Sequence, residues 1–337
     1  MTNAGAACVL DPQVRKLLES QTARPLPSYA SLGTDEARRS YRESRLLLQA
    51  PPVTVAEVRD MLAPARGGQL PLRLYRPLSF GGEPLAGPLP CLVFFHGGGF
   101  VLGDLDSHDR LCRALCQQGQ CALIAVDYRC APEHRFPSAA DDALAAVHWV
   151  RSQSLALGLD GARIAVGGDS AGGALAAVTA IALRDQASQL ALQLLLYPIT
   201  DMAHELPSHQ RLAQGYGLTR ESLLWFRAQY LPDPALAADW RASPLRAADH
   251  AGLAPACVIT AGFDPLLDEG RMYAERLLQA GVAVTYECFS GAVHGFMLMT
   301  GQVAAGRHAI YRAGQALRSA FGNAPPYRSS AGRKAAP

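Results

Sequence analysis

Gly168-Asp169-Ser170-Ala171-Gly172-Gly173 lies between the apolar run Arg163-Ile164-Ala165-Val166 and the helix-forming run 174–181, ALAAVTAI. A strand-like segment, a tight turn and a helix meet here, with one serine at the corner. Gly168, Ser170 and Gly172 fit the pattern G-x-S-x-G, in which a serine is carried on a strained strand-to-helix turn. Glycines two residues to either side let the helix pack close against the strand. The helix then starts directly behind Ser170, so its free amides and positive end face the place where an oxyanion would form. Taken alone, the same letters also describe a glycine-rich turn entering a helix.

A second stretch has to be read with the first. Leu92-Val93-Phe94-Phe95 runs into His96-Gly97-Gly98-Gly99-Phe100, a strand opening into a three-glycine loop. Glycines serve where backbone N–H groups must turn toward a ligand with no Cβ in the way. Such a loop supplies the other half of an oxyanion hole. The two half-sites stand in the order that one hydrolytic machine requires, which neither would establish by itself.

With 337 residues and 49% hydrophobic composition, the chain can bury one large core, or a core with a small appendage. The net charge is +2 with charges interspersed, so no basic block points to nucleic acid or an anionic membrane surface. No run approaches the roughly 18 apolar residues of a bilayer span. The N-terminus MTNAGAAC has neither a charged leader nor a long enough apolar stretch for export, and a cytoplasmic location is expected. Reduced thiols are then expected for the cysteines at 8, 91, 112, 116, 121, 130, 257 and 288. Of these, Cys91, Cys121, Cys257 and Cys288 fall in strand-like runs, where a free thiol acts as a small core residue. Cys112 and Cys116 have no matching second pair to suggest zinc. No His/Cys/Asp/Glu cluster has ligand spacing, so neither a metal nor a cofactor is expected.

In chain order, residues 1–50 read as amphipathic helical pieces, one from Pro12 and one with a capped start at Thr34 running to about Leu48. Segments 53–59 and 70–76 alternate with the strand period and form an antiparallel entry pair. Strands over 121–126, 163–166, 190–197, 257–262 and 282–289 then alternate with helices over 139–152, 174–183, 267–280 and 302–321. Such alternation implies a mostly parallel sheet with helices on both faces, and ligands bound at the strand carboxyl ends. The interval 201–250 breaks the rhythm and holds Tyr216, Trp225, Phe226, Tyr230 and Trp240, which suits a lid. Residues 323–337 are rich in Ala, Pro, Ser, Gly and Arg and read as a disordered tail.

These residues together resemble the hormone-sensitive-lipase-like family of α/β-hydrolase carboxylesterases. HGGGF at 96–100 and GDSAG at 168–172 match the family's loop and elbow, and YRCAPEHRFP at 128–137 resembles its YRLAPEHRFP segment, with Cys130 where leucine is usual. Asp264-Pro265-Leu266 resembles its DPL element, and His294-Gly295-Phe296 its HGF element. The resemblance implies an α/β-hydrolase core (51–200 and 246–322) under a helical cap (1–50 and 201–245). It also implies a homodimer through the last strand, 282–289, at a sheet edge that would otherwise be open.

Chain order independently supports a triad of Ser170 as nucleophile, Asp264 as acid and His294 as base. Backbone N–H groups of Gly98, Gly99 and Ala171 would bind the oxyanion, and Phe100, Tyr216, Trp225 and Phe226 would line the substrate pocket. Of the other histidines, His108, His148, His204, His209, His250 and His308 read as solvated or structural, and His96 and His134 as loop-shaping. Asp268 reads as a helix cap or a support to the acid loop. A small-molecule ester of short to medium acyl chain is the expected substrate. The same triad would also serve an amidase, deacetylase or thioesterase. A non-catalytic receptor on this fold, such as the plant gibberellin receptors that resemble the family, would lack His294.

Overall fold

The computed structural model describes residues 9–23, 27–185 and 189–322; Cys8 and the expected tail at 323–337 lie outside the described residues. Helices α1 (Pro12–Ala23) and α2 (Thr34–Leu48) precede a hairpin of β1 (Glu57–Ala65) and β2 (Gly68–Arg76). The chain then alternates through β3 (Leu89–Phe95), α3 (Leu105–Gly119), β4 (Ala122–Val126), α4 (Ser138–Gln153), β5 (Leu159–Asp169), α5 (Ala171–Ala182) and β6 (Gln193–Leu196). Two short helices, α6 (Pro207–Arg211) and α7 (Arg220–Tyr230), interrupt it. It closes with β7 (Ala256–Phe263), α8 (Leu267–Gln279), β8 (Val284–Val293) and α9 (Ala304–Ala320).

The strands form one eight-stranded sheet in the order β1-β2-β4-β3-β5-β6-β7-β8. β2 pairs antiparallel with β1 and β4, and every pairing from β4 through β8 is parallel. This is the α/β-hydrolase architecture. Every residue of β3 and β4 is buried, as expected for central parallel strands covered on both faces. Alternate side chains of β3 serve two cores. Cys91, Val93 and Phe95 join residues of α4, α5 and α8, whereas Leu92 and Phe94 join residues of α3 and α9. The period-2 geometry of a strand therefore divides helices whose apolar faces the sequence alone could not assign to a side.

Three expectations need correction. The first strand is Glu57–Ala65, not 53–59, because Arg66-Gly67-Gly68 makes a tight turn in which Gly67 has φ 101°. Pro64 is accommodated since β1 is an edge strand. Helix α2 is capped by Gly33 with no side-chain bond, so Thr34 is its first residue and not its cap. Cys288 is exposed on β8 rather than part of the core, because β8 is the other sheet edge. The thiols of Cys91, Cys112, Cys116, Cys121, Cys130 and Cys257 are free.

Candidate active site

Strand β5 and helix α5 meet at Ser170, whose backbone is held at φ 56° and ψ −115°. For a serine this is a strained conformation, maintained only where the surroundings over-determine it. The Ser170 N–H donates to the Leu196 carbonyl (2.8 Å), which ties the corner to β6. A Cβ on Gly172 would stand 1.9 Å from the Phe95 carbonyl oxygen, so only glycine lets α5 approach β3 this closely. The corner is buried, with Ser170 only 7% exposed.

Two side chains from later strands converge on that serine. His294, directly after β8, places Nε2 3.0 Å from Ser170 Oγ and Nδ1 2.7 Å from Asp264 Oδ2. Asp264, directly after β7, is 1% exposed, and its second oxygen, Oδ1, accepts the Leu266 N–H at 2.9 Å. The carboxylate keeps Nδ1 protonated and leaves Nε2 free to accept the Ser170 proton. The edge of the Tyr197 ring closes over the imidazole at 5.0 Å between centroids.

The glycine loop faces this trio. Among the described residues, the N–H groups of Gly98 and Gly99 donate to no backbone or side-chain acceptor. Ala171 is the first residue of α5, where N–H groups lack intrahelical partners. The remaining loop amide, from Gly97, donates instead to Asp169 Oδ1 (2.8 Å). Asp169 is 2% exposed, and His108 Nε2 lies 3.3 Å from the same oxygen. Burial pushes the Asp169 carboxyl up, but His108, the Gly97 N–H and His96 outweigh it and hold it below the usual range. Burial, reinforced by His108, pulls His96 down to about 4, so its ring is neutral; that ring stacks on Tyr128 at 4.3 Å. Sequence reasoning quoted Asp169 only as a letter of the elbow and left His108 among the bystanders. The link from Asp169 to Gly97 spans 72 residues, and no local pattern signals it.

The expected pocket residues separate. Phe226 lies against the glycine loop, since a Cβ on Gly99 would stand 2.3 Å from its ring. Phe226 also lines a cavity of about 120 Å³ whose walls combine Ile199, Met202 and Leu266 with charged side chains such as Asp201, Glu205 and Arg220. Trp225 packs on Phe226 with ring centroids 5.1 Å apart. Phe100 instead stacks flat on Tyr230 at 3.9 Å, buried beneath the loop that it anchors. Tyr216 packs on Phe263 at 5.1 Å, within a cluster built on Val14 and Val293. Phe100 shares the core cluster of Phe226, whereas Tyr216 belongs to a separate one.

Asp268 does not cap α8, whose N-cap is Leu266. Its Oδ2 accepts the Ser208 N–H (2.9 Å), while Ser208 Oγ donates to the Pro265 carbonyl (2.6 Å). Asp268 thus fastens α6 to the loop that carries Asp264. The neighbouring Glu269 faces His209 Nε2 at 2.9 Å and accepts the Thr200 N–H at 2.7 Å. His108, His209 and His250 are buried and structural rather than solvated. Among the described residues no group of three or more His, Cys, Asp or Glu side chains could hold a metal ion. No helix among them is long and apolar enough to cross a membrane.

Comparison with known proteins places the chain among α/β-hydrolase-fold ester hydrolases. Residues 92–298 match the model of a family described as having the alpha/beta hydrolase fold. An ethyl acetate hydrolase of Pseudomonas putida is 45% identical over 278 residues, covering 81% of this chain and 86% of the relative. The carboxylesterase NlhH of Mycobacterium tuberculosis is 37% identical, covering 93% of this chain and 96% of the relative. Among solved structures, an ester hydrolase from the metagenome of Lake Arreo, complexed with a derivative of bipyridine phosphonate, superposes with a TM-score of 0.89 at 41% identity. The match covers 93% of this chain and all of that one.

Proposed function

Because the chain belongs to the α/β-hydrolase fold family and is a carboxylic ester hydrolase like its relatives, we propose that it works through Ser170, His294 and Asp264 on esters of short to medium acyl chain. The observation that carries this reading is the relay of 3.0 Å from Ser170 Oγ to His294 Nε2 and 2.7 Å from His294 Nδ1 to Asp264.

His294 takes the Ser170 proton as Oγ attacks the ester carbonyl, and Asp264 stabilises the imidazolium that results. The N–H groups of Gly98, Gly99 and Ala171 receive the oxyanion; losing one such donor costs about 3 kcal/mol in the transition state. His294 then gives its proton to the leaving alcohol. A water activated by the same imidazole hydrolyses the acyl-serine and restores the enzyme. Asp169, faced by His108, holds the Gly97 amide, and with it the loop, so that the donors are in place before substrate binds.

Helices α1, α2, α6 and α7 form the cap over this centre. A preference for short acyl chains rests on the crowding of the cap around the glycine loop, where Phe226 of α7 lies against Gly99, and on the small size of the cavity beneath α7. At about 120 Å³ it holds roughly four water-sized groups, and the Phe226 ring stands between it and Gly99. Hydrolysis rates across ethanol esters of increasing acyl length, with and without Ser170→Ala, test the reading. Butyrate and hexanoate esters should outpace long-chain ones, and Ser170→Ala should abolish turnover of all. Faster turnover of long-chain triglyceride emulsions than of soluble butyrate would refute the size argument. Undiminished turnover in Ser170→Ala would refute the nucleophile.

A further inference from the structure

Arg38, Arg42 and Arg45 of helix α2 differ in what they meet. Arg38 bonds both oxygens of Glu133 (2.9 and 2.6 Å) and the carbonyl of Ala131 (2.9 Å). Arg42 Nε bonds Asp104 Oδ2 at 2.7 Å. Arg45 forms no ion pair with any carboxylate among the described residues, and its buried Nε has no hydrogen-bond partner. Around it stand aromatic groups. The guanidinium carbon lies 4.8 Å from the centroid of the Tyr41 ring, one helical turn back, and the Tyr29 hydroxyl is within hydrogen-bonding reach of the guanidinium. Aromatic faces attract a cation, but they do not neutralise it.

The same rings place Arg45 next to the candidate active site. Arg45 Nη1 is 3.6 Å from where a Cβ on Gly295 would stand, and Gly295 directly follows His294. Tyr197 meets the His294 imidazole edge-on. Tyr29 packs against Trp225 and Phe226, with ring centroids 6.4 and 6.1 Å away, and Phe226 seats on Gly99. A half-buried cation with no carboxylate partner among the described residues therefore stands beside the proposed base.

A charge out of water is costly unless an opposite charge meets it. A guanidinium offers a planar fork of donors that matches a carboxylate with two parallel bonds. Resting on the esterase reading above, we propose that Arg45 binds a carboxylate on the non-reacting part of the substrate, so that the enzyme selects esters bearing a free acid group. The carboxylate would enter with the substrate and complete the ion pair that Arg38 and Arg42 already possess within the fold. It can belong to the acyl or to the alcohol portion, and one pair of substrates for each distinguishes them.

The acyl pair is monoethyl succinate against its uncharged isostere, ethyl isocaproate. The alcohol pair is O-acetyl hydracrylate against isopentyl acetate. The quantity read is the charged-to-uncharged ratio of kcat/KM. In Arg45→Met that ratio should fall about tenfold or more in at least one pair, chiefly through KM, since the contact is made in ground and transition states alike. Arg45→Lys should recover part of the ratio. Arg39→Met removes an equal charge from the exposed face of α2 and should leave the ratio unaltered. Added salt should lower the wild-type ratio. A ratio equal within about twofold for wild type and Arg45→Met in both pairs overturns the proposal, while turnover of the neutral esters leaves the esterase reading standing. If wild type turns over none of the four, the esterase reading falls and the proposal with it. Should Arg45→Met fold poorly, wild-type inhibition serves instead. Competition by succinate and not by succinamide supports the ion pair, and equal effects of the two overturn it.

Discussion

Two carboxylates four residues apart, Asp264 and Asp268, could each have been the partner of His294, and replacing each by asparagine separates them. Asp264 accepts two hydrogen bonds, from Leu266 N–H at 2.9 Å and from His294 Nδ1 at 2.7 Å. Asparagine has one oxygen to offer. If Leu266 N–H claims it, the amide NH₂ faces Nδ1 and selects the tautomer that carries its proton on Nε2. That nitrogen then donates to Ser170 Oγ instead of accepting from it. The loss in kcat should be on the order of 10⁴, as for the wrong tautomer in other serine triads, or about 5 kcal/mol of barrier. The fold should survive, because the replacement is of equal size and leaves the Leu266 amide satisfied. Asp268→Asn keeps an oxygen for Ser208 N–H and loses only a charge facing exposed Arg271 at 4.0 Å. Its cost should be within about 1 kcal/mol of stability, with kcat changed less than about tenfold. Both variants would be followed by steady-state hydrolysis of a soluble butyrate ester and by thermal unfolding. If Asp268→Asn is the variant that loses four decades while Asp264→Asn stays active, the assignment of the acid is wrong.

The pH dependence of stability should carry a His96 signature. Its folded value of about 4 lies below the ordinary 6.5, so the folded state binds fewer protons in that window and stability falls as the pH drops through it. The advantage of wild type over His96→Asn should therefore shrink by up to about 3 kcal/mol between pH 7 and 4.5, measured by urea unfolding. A constant difference would contradict this. We further expect a homodimer through β8, which stands at the edge of the sheet. A monomer in sedimentation at micromolar concentration would count against it. Because a Ser-His-Asp relay needs no metal, prolonged chelation should leave kcat/KM unaltered, and loss restored only by a divalent metal would show the mechanism to be incomplete.

What could be read from the sequence was whatever is local. The elbow at 168–172, the glycine loop at 96–100 and the alternation of strands and helices each fit within a window of a dozen residues. Backbone geometry constrains such windows directly: a serine at φ 56° flanked by glycines leaves few other letters possible. Chain order alone then singled out Ser170, Asp264 and His294 as the residues that the tertiary structure brings within hydrogen-bonding reach. The strand 53–59 was misplaced because an alternating pattern fixes a face but not a register, and the turn at Gly67 decided the pairing. Phe100 and Tyr216 were grouped with Phe226 because aromatic residues near a motif look alike in a string. Only packing shows that Phe100 faces Tyr230 and Tyr216 faces Phe263. The roles of Asp169, His108 and Arg45 were beyond the sequence altogether. A charged side chain is defined by what it meets, and these meet groups that the chain assembles from distant segments.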